Sequence, residues 1–290
     1  MQFIAITADN AWHTAIQTPK TATVKSVFHR ALNLQLASGE LLTIFPIGSP
    51  NTPAGLIGSH NIGQNLGVVG ETVQLSPIAI TFNTVTIVLD NCKFVTNHLD
   101  ERQLPLPSQN YLEQFEQRVQ AQAKKGSFYG AMSGDVFNSA QVARLENGRT
   151  QLMQAWAQSV PENITYATKQ LIGLGIGLTP SGDDYLLGLL LVLNHSVAAN
   201  GINLTTIKQA ILDNIKTTTE VSQACLSAGL NCRYSTPLRE LLIAITGQSS
   251  AFEQALQTVL AHGATSGQDT CVGMLDAWKL LQDVATSNYG

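Results

Sequence analysis

Residues 173–191 read GLGIGLTPSGDDYLLGLLL, and the rest of the chain is placed by working outward from them. Glycines at 173, 175 and 177 permit backbone shapes that other residues resist. Thr179 is expected to cap a helix with Pro180 at its first position; alternatively Ser181 caps, with Asp184 as the reciprocal acid. Either way Asp183 and Asp184 fall in the first turn of a helix that is apolar on every side, so it must be buried. One first-turn carboxylate is an ordinary cap, gaining about 0.3–1 kcal/mol from the positive helix end. Neighbouring helical positions point about 100° apart, so a single cap cannot use both acids. The second must meet a cation or a substrate, because an unpaired buried charge is costly.

A second copy of the pattern follows at a constant offset of 85. Residues 266–275, SGQDTCVGML, match SGDDYLLGLL at Ser181/Ser266, Gly182/Gly267, Asp184/Asp269, Gly188/Gly273 and Leu190/Leu275. Gly188 and Gly273 each sit inside a helix, where glycine costs about 1 kcal/mol relative to alanine. Both lie four residues after the shared acid, on its face. The repeat therefore predicts two helices that cross closely, with their N-termini facing one pocket. Asp183, whose counterpart is Gln268, is the acid that capping does not explain, and it is the first candidate for chemistry.

Two helix N-termini and a glycine-rich loop suit a small anion, a carboxylate or phosphate. Aspartates there would repel it unless a Mg²⁺-type cation intervened, or one acid served as general base toward an N–H group or water. The catalytic candidates are Asp183 and Asp184, which are also the only candidate metal ligands. The substrate-binding candidates are Gly175, Gly177, Thr179, Ser181, Gly182, Ser266, Gly267 and Asp269. Ser222, in the hydroxyl-rich run Thr217–Ser222, and His60, in a long loop, complete the set. Arg233 and Arg239, which flank Tyr234–Pro237, could supply guanidinium contacts to a planar carboxylate, although ordinary caps and surface arginines are the simpler reading of both elements.

The fold expected is α+β. Short β-branched runs at 24–28, 41–45, 73–75, 78–82 and 85–89, separated by turn signals, suit an antiparallel barrel or sandwich. The Gly/Asn/Pro-rich stretch from Pro46 to Gly70 reads as a long loop or lid. Helical periodicity takes over near residue 108. Asn110 with Glu113 suggests a capping box, Leu112, Phe115 and Val119 form a stripe, and Ile207, Ile211 and Ile215 recur every four residues. Thr236-Pro237 opens another helix, and Ser250 with Glu253 caps one ending at His262-Gly263. We expect a β-rich N-terminal domain over residues 1–107, joined at the Pro-rich 104–107 segment to an all-helical domain over 108–290.

Composition narrows the function. Of 290 residues 44% are apolar and only 12% charged, so the chain can build a large core, and disorder is not expected. The formal charge is −4 and the basic residues are scattered, which argues against nucleic acid. The apolar run 185–193 is too short for a membrane span, and the N-terminus lacks the positive start of a signal peptide. The four cysteines form no CxxC pair, consistent with reduced thiols in the cytoplasm. Zinc-ligand, GxSxG and P-loop patterns are absent, and 173–177 lacks the βαβ setting of a dinucleotide site.

The GLTPSGDD string resembles the signature of the AllH family, the oxamate carbamoyltransferase subunit family, once a domain of unknown function. The resemblance extends to 26–34 (SVFHRALNL), to Thr218-x-x-x-Ser222 and to Thr265-Ser266-Gly267-x-Asp269. It implies a cytosolic subunit of an enzyme that converts oxalurate and phosphate to oxamate and carbamoyl phosphate. It also implies two partners, one resembling acyl-CoA synthetase and one a second carbamoyltransferase-type subunit. No catalytic assignment is carried over from the family. The residues leave two other classes open: a Mg²⁺-dependent helical enzyme of the ADP-ribosylglycohydrolase or dihydroxyacetone-kinase type, and a non-catalytic scaffold.

Overall fold

The computed structural model describes the chain except for residues 61–65, 100–103, 131–135, 197–201 and 288–290. It divides into two compact units: Met1–His98 with Arg233–Thr236, and Leu99–Cys232 with Pro237–Gly290.

The first unit is a β-barrel. Its elements are β1 (Gln2–Asp9), α1 (Asn10–Ile16), β2 (Lys20–Val27), β3 (Leu32–Leu36), β4 (Leu41–Phe45), β5 (Gly55–Gly58), β6 (Thr72–Leu75), β7 (Ala79–Thr81), β8 (Thr86–Val88) and β9 (Lys93–Val95). Neighbouring strands run β5-β4-β3-β2-β6-β7-β8-β1, and β5 also pairs with β1, which closes an eight-strand barrel. The first half of β1 lies parallel to β8 and its second half parallel to β9. Alternation decides the inward face: in β2, Ala22 and Val24 are buried while Thr21, Thr23 and Lys25 are exposed. Trp12 of α1 is fully buried and donates from Nε1 to the Ala54 carbonyl at 2.9 Å. Asp9 ends β1 and accepts from the Ala11 N–H at 2.9 Å and from Asn97 Nδ2 at 2.8 Å, while Arg233 forms an ion pair with it.

The expected strands at 24–28, 41–45, 73–75, 78–82 and 85–89 appear as β2, β4, β6, β7 and β8. The stretch 46–70 differs from its loop reading. It contains β5, buried along its length, paired parallel with β4 and antiparallel with β1. Its sequence GLIG carries only two apolar side chains, too few to register as a strand pattern, and its partner β1 is remote in sequence.

The second unit is helical: α2 (Gln109–Ala121), α3 (Val136–Gln158), α4 (Pro161–Leu171), α5 (Ser181–Asn194), α6 (Ile202–Asn214), a 3₁₀ turn (Ile215–Thr217), α7 (Glu220–Leu230), α8 (Thr236–Thr246), α9 (Phe252–Leu260) and α10 (Ser266–Ser287). At the centre α5 packs along α10, with α7 against α5 and α2 and α9 against α10. The stripe Leu112, Phe115 and Val119 is buried, and Phe115 meets Trp278 edge-on at 5.5 Å. Two capping boxes do not form. Ser108, not Asn110, is the N-cap of α2, and Ala251, not Ser250, that of α9, neither with a side-chain bond. Exposed helix ends can leave their amides to water, so the box motif had no tertiary reason to close.

Candidate functional site

The Ser-Gly-x-Asp repeat is a packing device before it is a site. A Cβ on Gly188 would collide with the Thr270 carbonyl, and one on Gly273 with the Tyr185 carbonyl. Tyr185 and Thr270 are equivalent residues of the repeat, so α5 and α10 touch backbone to backbone in a two-fold manner. Gly182 is pressed onto the Leu171 carbonyl at the end of α4, and Gly267 onto the Val259 carbonyl near the end of α9. Each copy is thus a helix, a loop and a second helix seated on the end of the first.

This seating changes the expected caps. Pro180, not Thr179 or Ser181, is the N-cap of α5, and no side chain caps the helix. The Gly182 N–H donates to the Leu174 carbonyl at 2.8 Å and the Asp183 N–H to the Pro180 carbonyl at 2.9 Å. The hydroxyls are instead directed across the pair. Those of Ser266 and Thr179 face Asp184, while those of Ser181 and Thr265 face Asp269. The acid each serine meets belongs chiefly to the other helix, because the crossing at Gly188 and Gly273 brings both tips together.

Asp184 and Asp269 are buried, at 4% and 0% exposure. Asp269 Oδ1 accepts the Phe128 N–H at 3.0 Å. The Oδ2 atoms of both acids have no hydrogen-bond partner among the described residues. Burial pushes Asp269 up to about 7, against the lowering effect of Ser181, the Phe128 N–H, Thr265 and the Lys124 charge. Asp184 stands well above the usual carboxylate range, first through burial and also through the Asp269 charge. Two acids placed this way favour holding a proton or meeting a donor over standing as two bare charges.

The position just before each of these acids has a different task. Asp183 accepts the Gly173 N–H at 2.9 Å on Oδ1 and the Thr218 hydroxyl on Oδ2. Gln268, its counterpart, accepts the Lys124 N–H at 2.8 Å and the Ser127 hydroxyl at 2.9 Å, and donates to the Phe128 carbonyl at 3.1 Å. Each ties a neighbouring loop to its helix tip. Burial raises Asp183 above its ordinary pKa, and Thr218, the Gly173 N–H and Ser222 oppose that rise. The loop held by Asp183 has Gly173, Gly175 and Gly177 at positive φ. Thr219 caps α7 and bonds to the Leu178 carbonyl, which ties the loop's far end. Between these ties the N–H groups of Gly175, Ile176, Gly177, Leu178 and Thr179 make no hydrogen bond among the described residues.

This geometry has a counterpart among known families. The AllH family model, described as oxamate carbamoyltransferase subunit AllH, matches residues 171–278, and the AllH family N-terminal domain matches residues 4–94. The chain belongs to the AllH family. Together the matches span about two thirds of it, and the first takes in the tips of α5 and α10, the glycine loop and α7 but not the Lys124–Phe128 turn. The family is that of a carbamoyltransferase subunit, a transferase component that works with other subunits. No solved structure matches the chain.

Within this AllH chain the remaining candidates fall in different places. Ser222, on α7, is buried at 1% exposure, faces Asp183, and its hydroxyl has no partner among the described residues. Cys225, one turn further on, is held up to about 12 by burial and by the two aspartates. His60 belongs to the barrel unit, exposed, with its ring 4.8 Å from Phe3 and Nδ1 2.8 Å from the Ser59 hydroxyl. Among the described residues no group of three or more His, Cys, Asp or Glu is arranged to hold a metal ion. Nor, among the described residues, is any helix long and apolar enough to cross a membrane.

Two features of the helical unit escaped sequence reasoning. Gln268 and the Lys124–Phe128 turn build one wall of the site, yet nothing in the spacing of residues 124–128 points there. Asp276, at 1% exposure, takes a two-pronged contact from Arg149 at 2.6 and 2.8 Å and a 2.9 Å bond from the Tyr185 hydroxyl. Its position seven residues after Asp269, on the same helix face, was the one available signal.

Proposed function

We propose that this chain carries the small-anion site of an oxamate carbamoyltransferase whose reaction takes oxalurate and phosphate to oxamate and carbamoyl phosphate. In that reaction a phosphate oxygen attacks the ureido carbonyl carbon. The C–N bond to the oxamate nitrogen breaks, and that nitrogen gains the proton phosphate brings. Both substrates and both products are small anions.

The observation that carries the reading is the row of unpaired N–H groups from Gly175 to Thr179, beside the buried acids. Successive backbone donors in a glycine-rich turn form an anion-binding concavity. In this reading Gly175, Gly177, Thr179, Ser181 and Gly182 shape the cradle, and Ser266 and Gly267 close its other side. Asp183 is a positioning residue: through Gly173 and Thr218 it fixes the loop against α7, with Ser222 alongside. Asp184 is the acid turned toward the substrate. The complete enzyme would add an acyl-CoA-synthetase-like subunit and a second carbamoyltransferase-type subunit, in the cytoplasm.

The test is Asp183→Asn in the assembled complex. Asparagine keeps the volume but exchanges one acceptor for a donor, so the Thr218 contact must reorganise. A rise in KM for the anionic substrates of about tenfold or more is expected, exceeding the fall in kcat, with cooperative unfolding retained. Wild-type carbamoyl phosphate formation by a folded Asp183→Asn complex would remove the reading.

A further inference from the structure

Two buried carboxylates, each with one oxygen that meets no donor among the described residues, are a costly arrangement unless something donates to them. A buried acceptor without a partner forfeits the hydration it had in water. Here the orphans come in a matched pair, Asp184 Oδ2 and Asp269 Oδ2. Around them stand the hydroxyls of Ser181, Ser266, Thr179 and Thr265, with Ser266, Thr179 and Thr265 only half-buried. The lone cation that acts on Asp269, Lys124, has its ammonium on the Leu260 carbonyl at 2.7 Å. The cluster is therefore rich in acceptors and, hydroxyls apart, poor in donors, the reverse of the N–H row at Gly175–Thr179.

The geometry points to the Asp184–Asp269 pair as an N–H subsite that takes the amide NH₂ of oxamate, the nitrogen at which oxalurate is cleaved, with the two free Oδ2 atoms as its acceptors. An NH₂ group offers two divergent donors on one small atom, which suits two acceptors approaching from opposite helices. Against the ionised pair, a carboxylate would bring oxygen against oxygen. The subsite thus reads which end of a small substrate is amide and which is acid, while the glycine loop takes the acid end. This assignment rests on the anion-site reading above and adds Asp269, with Ser181 and Ser266, as specificity-determining residues.

The experiment compares oxamate with oxalate on the full chain by calorimetric titration. The two ligands share size, planarity and one carboxylate, and differ by NH₂ against O⁻. Oxamate is expected to bind at least ~10-fold more tightly, because a site whose buried acceptors await the ligand's N–H rejects the analogue that lacks it. Asp184→Asn and Asp269→Asn, which keep volume, should each shrink that ratio toward unity; if either fails to fold, the ratio on the unaltered chain decides. Equal binding of the two ligands overturns the N–H subsite and leaves the anion site standing. Stronger thermal protection by Mg²⁺ alone than by oxamate also overturns it, in favour of a cation between the acids. Binding of neither ligand removes both proposals. Discrimination without carbamoyl phosphate formation in the assembled complex keeps the subsite and removes the reaction.

Discussion

The tips of α5 and α10 share a sequence pattern, a seat on the preceding helix and a crossing glycine, yet they hold different loops. At α5, Asp183 grips a loop with three glycines at positive φ and free amides. At α10, Gln268 grips the Lys124–Phe128 turn, whose amides are largely used: the Phe128 N–H is bonded to Asp269, and Ser127 and Gly130 bond back within the turn. A duplicated element has thus kept its packing residues and its facing acids while its outer positions diverged. The lesson is that constancy across the repeat (181/266, 184/269, 188/273) marks the shared site, whereas difference (183/268) marks the loop each half must hold.

The largest effect should come from breaking the crossing. Gly188→Val or Gly273→Val would drive a branched side chain into the Thr270 or Tyr185 carbonyl, backbone against which nothing flexible can yield. A loss of about 4 kcal/mol or more, or failure to fold, is expected for each in urea denaturation. Near-equal losses would support a two-fold contact. A tolerated valine at either glycine would show that the helices do not meet there.

The acids give the next effect, and its sign is set by protonation. Asp269 titrates near 3.8 in the unfolded chain and at about 7 in the fold. Between those values the folded protein holds a proton that the unfolded chain has lost, so stability falls as pH rises through the window. Asp269→Asn keeps the acceptor for the Phe128 N–H and removes the titration. The variant should exceed the parent by about 1–4 kcal/mol at pH 8, with that advantage shrinking toward pH 4. Asp184 retains part of the slope. An unchanged pH dependence of unfolding would mean that Asp269 is ionised in the fold.

These effects also measure what the sequence could disclose. Gly188, Gly273 and the shared acids were legible because the repeat set them at one offset and because an apolar helix must be buried. The barrel was legible wherever strands alternate, as in β2, and illegible at β5, which is recognisable only by the β1 and β4 it joins. The role of Asp183 was half legible. Its excess over capping was visible in the pair Asp183-Asp184, but its partners Gly173 and Thr218 are ten and 35 residues away. Capping boxes failed for a different reason: they are local motifs, and at α5 tertiary seating on Leu171 and Leu174 claimed the amides they would have served.

The smallest effects separate the shape of the glycine loop from its surface. Gly175 has φ +133° and its Cα faces the Ser181 amide, so Gly175→Ala is strained both by backbone conformation and by contact, with about 1–3 kcal/mol expected. Its neighbour Ile176 is 58% exposed, and Leu178 is 47% exposed. If the loop's function lies in its amides, these apolar side chains contribute little to the fold, and Ile176→Ser should shift stability by no more than about 0.5 kcal/mol. The same variant should leave the oxamate affinity of the full chain unchanged, because serine preserves the backbone N–H. A large loss of stability would instead mean that Ile176 is covered within this chain. Loss of oxamate binding at unchanged stability would assign ligand recognition to the side chain rather than to the amide.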